Sequence, residues 1–288
     1  MVVELIYALV FLALAAASVT DMRTREVPDW LSYALIAAGI GIRCIDSLIT
    51  LSWQPIIEGL FGFGAMLALS MGMFYSGQWG GGDTKLLIGI GAMLGLKLDF
   101  SSTLVSFLIN LVIFGALYSM AFSTILVARH WKKFRMEFSK LLHNHSYALI
   151  RKMTTILLAV LLVAIIFIND SLFRLLILLL MTLTFASYYI WVGVKSIELS
   201  CMHKLVDPEK LTEGDWIVND VKVDGKYICG PKDLGIEMQQ IKKLIALKKR
   251  GKIRKVLMKE GIPFVPSFLL AFAVTIFLGN IFIWLSLF

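Results

Sequence analysis

Charge is scarce in this 288-residue chain. Asp, Glu, Lys and Arg make up 17% of it, where soluble globular domains hold about a quarter. Cysteine is scarcer still: Cys44, Cys201 and Cys229 are widely separated and form no Cys-x-x-Cys pair, which excludes a zinc ribbon and a disulfide framework. Only four histidines are present, His130, His143, His145 and His203, all in basic segments and without metal-ligand geometry. No metal and no other cofactor is expected. What fills the chain instead is apolar: 58% of residues are hydrophobic, gathered into long runs.

A helix that crosses a bilayer needs roughly 20 mostly apolar residues. Eight runs answer to that description: Val2–Thr20, Leu31–Leu51, Ile56–Tyr75, Leu86–Leu98, Thr103–Ala128, Met153–Ile168, Leu172–Val194 and Pro263–Phe288. The fourth is short and would cross only about 20 Å. The first resembles a signal peptide in its Ala15-Ala16-Ala17, but Glu4 precedes the apolar core and no Lys or Arg does, the reverse of a secretory leader. It is read as a span.

The net charge of +8 invites a nucleic-acid reading until the charges are located. With the N-terminus outside, the inside segments are 21–30, 76–85, 129–152 and 195–262, and they hold 2, 1, 7 and 15 Lys or Arg residues. Only Arg43, Lys97 and Arg174 fall elsewhere. That asymmetry fixes the orientation by the positive-inside rule, and an anionic inner leaflet accounts for the excess charge without nucleic acid.

Two inside segments are large enough to have structure. In 129–152, Trp131, Phe134, Phe138, Leu141 and Leu142 interleave with basic residues, a pattern shared by a surface-lying amphipathic helix and a solvated linker. In 198–262, Trp216-Ile217-Val218 and Val221–Ile228 predict a β-hairpin turning at Asp224-Gly225. Ile236, Ile241, Leu244, Ile245 and Leu247 share one helix face, and a strand around Ile253–Met258 closes the sheet. The expected fold class is an all-α polytopic membrane protein of about eight transmembrane helices, N-terminus outside, with a small cytoplasmic α+β domain. Its units are 1–128 in the membrane, the basic segment 129–152, a transmembrane hairpin 153–197, the small domain 198–262, and a final transmembrane helix 263–288.

Ionisable residues at membrane edges are costly and invite a functional test. Asp21 ends the first span and Asp83 opens the fourth, and the charge count puts both at the cytoplasmic boundary. Two carboxylates brought together cannot both ionise easily. One keeps its proton as an acid while the other takes a proton from a water that attacks a carbonyl. Gly80-Gly81-Gly82 before Asp83 would let an extended backbone approach and let the turn adopt φ values other residues resist. Each feature alone has an ordinary reading. An aspartate at a helix start caps it, Asp21 beside Arg23 and Arg25 suits a solvated interface, and a glycine run before a helix cradles anions. Asp83 would repel a phosphate there.

Taken together, the motifs carry a resemblance. Asp-x-Arg-x-x-x-Val-Pro-Asp-Trp-Leu from Asp21 to Leu31, followed by Gly-x-Gly-Asp-x-Lys from Gly80 to Lys85, resembles the prepilin peptidases, GxGD-type aspartyl proteases. Glu213–Trp216, Gly230-Pro231 with Leu234–Ile236, and Lys259–Pro266 resemble the C-terminal extension of the archaeal members. The resemblance implies that Asp21 and Asp83 are catalytic and that Gly80, Gly82 and Lys85 support the active-site loop. It implies removal of a short basic leader from type IV prepilin-like or archaellin precursors at the cytoplasmic face of the plasma membrane. Without Cys-x-x-Cys pairs, peptidase activity is expected without the N-methylation of bacterial relatives. Precursors with such leaders and membrane lipids are the expected partners.

Two readings stay open beside this one, as do the roles of Lys85, Asp29 and the small domain. A presenilin-like or signal-peptide-peptidase-like protease would cut within a span, but such relatives usually carry a Tyr before the first aspartate and a Pro-Ala-Leu segment. Here Thr20 precedes Asp21 and Pro-Ala-Leu is missing. A proton-coupled transporter would place carboxylates near the midplane within related halves, and no such repeat is evident. Lys85 tunes the carboxylates, fixes the glycine turn through Asp21 or Asp29, or snorkels to the interface. Asp29 pairs with Arg23 or Arg25, or caps the second helix. The small domain is basic, so it attracts a basic leader only if Glu209, Glu213 and Asp215 form a local acidic patch.

Overall fold

The computed structural model describes residues 2–286; Met1, Leu287 and Phe288 lie outside the described residues. The first five apolar runs form α1 (Val2–Thr24), α2 (Asp29–Thr50), α3 (Gln54–Tyr75), α4 (Gly81–Leu94) and α5 (Thr103–Arg129). After the surface helix α6 (Trp131–His143) come α7 (His145–Phe167) and α8 (Ser171–Ile197), which ends in a π-helical turn, Glu198–Met202. Among the described residues six helices are long and apolar enough to span a bilayer: α1, α2, α3, α5, α7 and α8. This is a multi-pass membrane protein with a small α+β unit. The expected count of eight is reached only by adding two short helices, α4 and α10 (Val265–Leu278), of 14 residues each.

Fourteen residues rise about 21 Å, less than the roughly 30 Å hydrocarbon layer. The last run, 263–288, is therefore not one continuous helix. Gly279, at φ 71°, stops α10, and α11 (Ile281–Leu285) follows. A helix that stops within a packed bundle leaves its last carbonyls without intrahelical partners, so something else must satisfy them. For α4 it is Arg43 of α2, 7% exposed. Its Nε donates to Ala92 O and Met93 O at 3.1 and 3.0 Å, and its Nη2 to Met93 O at 2.9 Å. Nη1 reaches Pro55 O at 3.1 Å and lies 3.8 Å from Glu58. For α10 it is the buried Asn110 of α5. Asn110 Nδ2 donates to Gly279 O at 2.8 Å and to Thr275 Oγ1 at 2.9 Å, while its Oδ1 accepts from Ile281 N–H.

Those two short helices are the centre of the core. Leu86, Leu87, Ile90 and Met93 of α4 are fully buried, as are Phe268 and Phe272 of α10; Val10 and Leu14 of α1 and Phe107 of α5 pack with them. Helix α4 makes its most extensive contacts with α2 and α3. The α3–α4 approach depends on glycine: a Cβ on Gly62 would collide with Gly91 O, and one on Gly91 with Gly62 O and Met66.

Helices α7 and α8 lean on each other and on α6, with Tyr147 and Trp191 stacked at 4.7 Å. No residue of α7 is buried, as expected of helices facing lipid. Helix α7 starts at His145, eight residues before the expected span at Met153, so the basic segment is mostly helical: α6 and then the first turns of α7. On α6, Trp131, Phe134 and Phe138 stack in series at 5.9 and 5.7 Å.

The small unit holds two sheets where one was expected. The hairpin β3 (Val221–Val223) and β4 (Lys226–Cys229) turns at Asp224 and Gly225, both at positive φ, as read from the sequence. The strand β5 (Val256–Lys259) joins a different sheet, between β1 (His203–Val206) and β2 (Trp216–Ile217), both antiparallel to it. Helix α9 (Met238–Lys249) opens with a capping box of Glu237 and Gln240. It packs Ile241 and Leu244 against Leu211, Ile217, Cys229, Ile236 and Val256.

Candidate active site

Helix α1 runs one turn past the expected end of its span, so Asp21 sits inside its last turn and is not a terminal residue. Arg25, at φ 63°, then breaks the helix while its N–H caps Asp21 O at 3.0 Å. The Asp21 side chain is buried, 6% exposed. Its Oδ2 accepts a hydrogen bond at 3.0 Å from the N–H of Val265, the first residue of α10. The N–H groups of a helix's first turn have no intrahelical partner and carry the positive end of the helix dipole. A carboxylate is the natural group to receive them.

Asp83 lies in the first turn of α4, half-buried and within electrostatic reach of Asp21. The structure therefore brings the two aspartates together from α1 and α4, 62 positions apart. The backbone ahead of Asp83 is tied by Thr84, whose N–H and Oγ1 both donate to Gly80 O at 3.2 and 2.9 Å.

The three glycines do not serve the conformational role expected of them. Gly80, Gly81 and Gly82 all have negative φ; the left-handed glycine of this loop is Gly77, at φ 69°. Gly82 is needed for space, because a Cβ there would lie 3.1 Å from Val27 Cβ. Gly80 has ordinary room, its nearest neighbour being Asp83 Oδ2 at 3.8 Å. Lys85 settles on Asp29: Nζ to Oδ1 is 2.6 Å, and the ammonium also sits over the Tyr33 ring at 5.7 Å. Asp29 thus opens α2 as the partner of Lys85, while Pro28 holds the cap position. The two motifs meet twice, at Val27 with Gly82 and at Asp29 with Lys85.

Four contributors carry no signal in the sequence motifs: Val265, Tyr118, Phe122 and Trp79. The Val265 N–H is a backbone group with no side-chain signature, although Pro266 just after it marks a helix start. Tyr118 of α5 lies within electrostatic reach of Asp21, and Phe122 of the same helix carries Arg25 over its ring at 5.7 Å. Trp79, ahead of the glycines, packs with Phe264 and Phe268.

The small unit reaches the same region. A Cβ on Gly77 would touch the Trp216 ring at 3.2 Å. Asp215 lies within electrostatic reach of Glu26 and Glu260; burial above all, and those two charges, push its carboxyl up, against hydrogen bonds from Thr212 that pull it down. Glu209 takes no part, being paired with Lys248 at 2.7 Å beside Asp207 at 2.8 Å. The acidic grouping therefore differs from the expected Glu209, Glu213 and Asp215. A cavity of about 610 Å³ lined by Tyr7, Arg43, Glu58 and Lys97 includes neither aspartate and lies at the end of the bundle where α1 begins. Among the described residues no group of three or more His, Cys, Asp or Glu side chains is placed to hold a metal ion.

These features define a polytopic membrane protein with a paired-carboxylate site at one end of its helix bundle. Residues 8–120 match the type IV leader peptidase family, a stretch that contains Asp21, Gly80, Gly82, Asp83 and Lys85. Over 88 residues the chain is 38% identical to the preflagellin peptidase of Methanococcus maripaludis, covering 31% of this chain and 38% of that one. It is 32% identical over 88 residues to the preflagellin peptidase of Methanococcus voltae, 31% of this chain and 37% of the relative. With that of Methanocaldococcus jannaschii it shares 31% identity over 83 residues, 29% and 35% of the two chains. The chain thus spans under two-fifths of the length of the relatives it matches. No solved structure matches.

Proposed function

We propose that this protein is an aspartyl endopeptidase of the membrane that removes the short basic leader from archaellin or type IV prepilin-like precursors, without methylating the product. The observation that carries the reading is the meeting of Asp21 and Asp83 at one end of the bundle, with Asp21 buried against the Val265 N–H. In this mechanism one carboxylate takes a proton from a water as its oxygen bonds to the scissile carbonyl carbon. The other, protonated, carboxyl stabilises the tetrahedral intermediate. When the C–N bond breaks, a proton passes to the leaving amine and the pair is restored. The two groups titrate as a unit, so acid and base are properties of the pair. The distribution of Lys and Arg along the chain supports a cytoplasmic position for this end, where a basic leader preceding an apolar segment would present its junction.

The test is processing of a panel of leader-bearing precursors by the purified protein in detergent, with the cleavage point read by mass spectrometry. Asp21→Asn and Asp83→Asn keep shape but not proton transfer, and each should lower the rate by at least about 10²-fold. Wild-type processing by either variant sinks the assignment. Cuts in mid-span would point to an intramembrane protease, and methyl transfer from S-adenosylmethionine would overturn the restriction to peptidase activity.

A further inference from the structure

Helix α10 brings no ionisable side chain to the site, yet its N-terminal end holds Asp21 and packs on Trp79, four positions before Asp83. The Val265 N–H holds Asp21 Oδ2 at 3.0 Å. One residue earlier and three later, Phe264 and Phe268 pack on Trp79, with ring centroids 6.1 and 5.8 Å away. The two phenylalanines meet edge to face at 5.6 Å. Phe264 is itself set against α5, where a Cβ on Gly115 would come within 3.1 Å of its ring. Ahead of α10 in the chain is β5, the central strand of the small unit's three-stranded sheet, followed by Glu260, whose N–H is anchored on Met202 O at 2.9 Å.

Between Trp79 and Asp83 stand three glycines, Gly80 at the cap of α4 and Gly81 and Gly82 in its first turn, which have no side chains to pack. Their position must be imposed from the flanks, because free glycine backbone carries the largest conformational entropy of any residue. On the α4 side the flank is the Lys85–Asp29 pair. On the α3 side it is Trp79, a ring large enough to bury about 150–250 Å². We infer that Trp79 is a positioning residue: by locking between Phe264 and Phe268 it ties the Asp83 loop to the same helix end whose N–H fixes Asp21, so that α10 sets the spacing of the two carboxylates. The inference rests on the peptidase reading for its kinetic consequence and on geometry alone for its structural one.

Two readouts test it in the full chain. In kinetics, Trp79→Ala and Trp79→Leu should lower kcat by around 10²-fold, the cost of roughly 1 Å of misplacement, with KM within about threefold. Trp79→Phe, which keeps a ring, should stay within about threefold of wild-type kcat. If Trp79→Ala fails to fold, the Leu and Phe pair decides. Equal kcat for Leu and wild type, or equal loss for Leu and Phe, overturns the inference. The second readout needs no activity. With Cys44, Cys201 and Cys229 replaced by Ser, a short bifunctional thiol reagent should cross-link an Asp21→Cys, Asp83→Cys variant efficiently, and Trp79→Leu should reduce that yield severalfold. Unchanged cross-linking overturns the inference. Wild-type processing by Asp21→Asn or Asp83→Asn, with cross-linking still sensitive to Trp79, overturns the peptidase reading and leaves the spacing role standing.

Discussion

Lys85 Nζ lies 2.6 Å from Asp29 Oδ1, and this ion pair joins the start of α2 to the start of α4 across 56 positions of chain. Both side chains are substantially exposed, at 37% and 58%. The attraction is screened by water, and its contribution to stability is under about 1 kcal/mol. Its effect is on alignment. Lys85→Ala and Asp29→Ala are expected to leave the unfolding midpoint nearly unchanged and to slow processing severalfold each, to the same extent. The exchanged pair, Lys85→Asp with Asp29→Lys, should recover most of the rate. A large loss for Lys85→Ala with none for Asp29→Ala would mean that Lys85 acts on the carboxylates directly.

Arg43 should be the most stabilising charged residue of the membrane region. Replacing it by Met removes the donors to the Ala92 and Met93 carbonyls and leaves Glu58 with Lys97 as its cation, at 3.6 Å. Each unsatisfied buried group costs about 1–3 kcal/mol, so Arg43→Met is expected to cost about 2–5 kcal/mol in thermal unfolding in detergent. Arg43→Lys should fall between, since an ammonium cannot span the same carbonyls with a planar fork. A midpoint unchanged in Arg43→Met would refute the capping role.

At the α3–α4 contact, Gly91→Ala places a methyl where Gly62 O and the Met66 side chain already are. One obstacle is backbone, so relief requires the helices to separate. Overpacking of this kind costs about 1–3 kcal/mol, and because α4 carries Asp83 the same variant should lose activity. Gly41→Ala, with open space around its Cβ position, is the matched control and should be neutral or slightly stabilising. Equal unfolding midpoints for the two variants would argue against close α3–α4 packing.

Asp215 gives a pH dependence outside the membrane. Burial holds its carboxyl above the ordinary value, helped by Glu26 and Glu260. The unfolded chain then ionises before the folded one, so the contribution to stability is fully present below about pH 4 and is lost as pH rises through the folded value. The unfolding midpoint of the wild type, corrected by that of Asp215→Asn, should fall with rising pH over this window. A difference that rises with pH would contradict the assignment.

Much of this architecture is local and therefore legible. Hydrophobic run length marks α1, α2, α3 and α5 to within a few residues, because burial in lipid is decided residue by residue. The turn at Asp224-Gly225 is written in two residues that tolerate positive φ. The Lys and Arg asymmetry assigned Asp21 and Asp83 to one side without any knowledge of contacts, and the fold brings them together. What the sequence could not show is how groups far apart in it satisfy one another. The 14-residue helices α4 and α10 stop inside the bundle because Arg43 and Asn110, on other helices, take up their last polar groups. Of the glycines before Asp83, Gly82 matters for the space beside Val27, and none of the three has an unusual φ. The hydrogen bond that holds Asp21 comes from a backbone N–H 244 positions away. Every non-proline residue carries an identical N–H, so its identity as a partner is created only when α10 packs against α1.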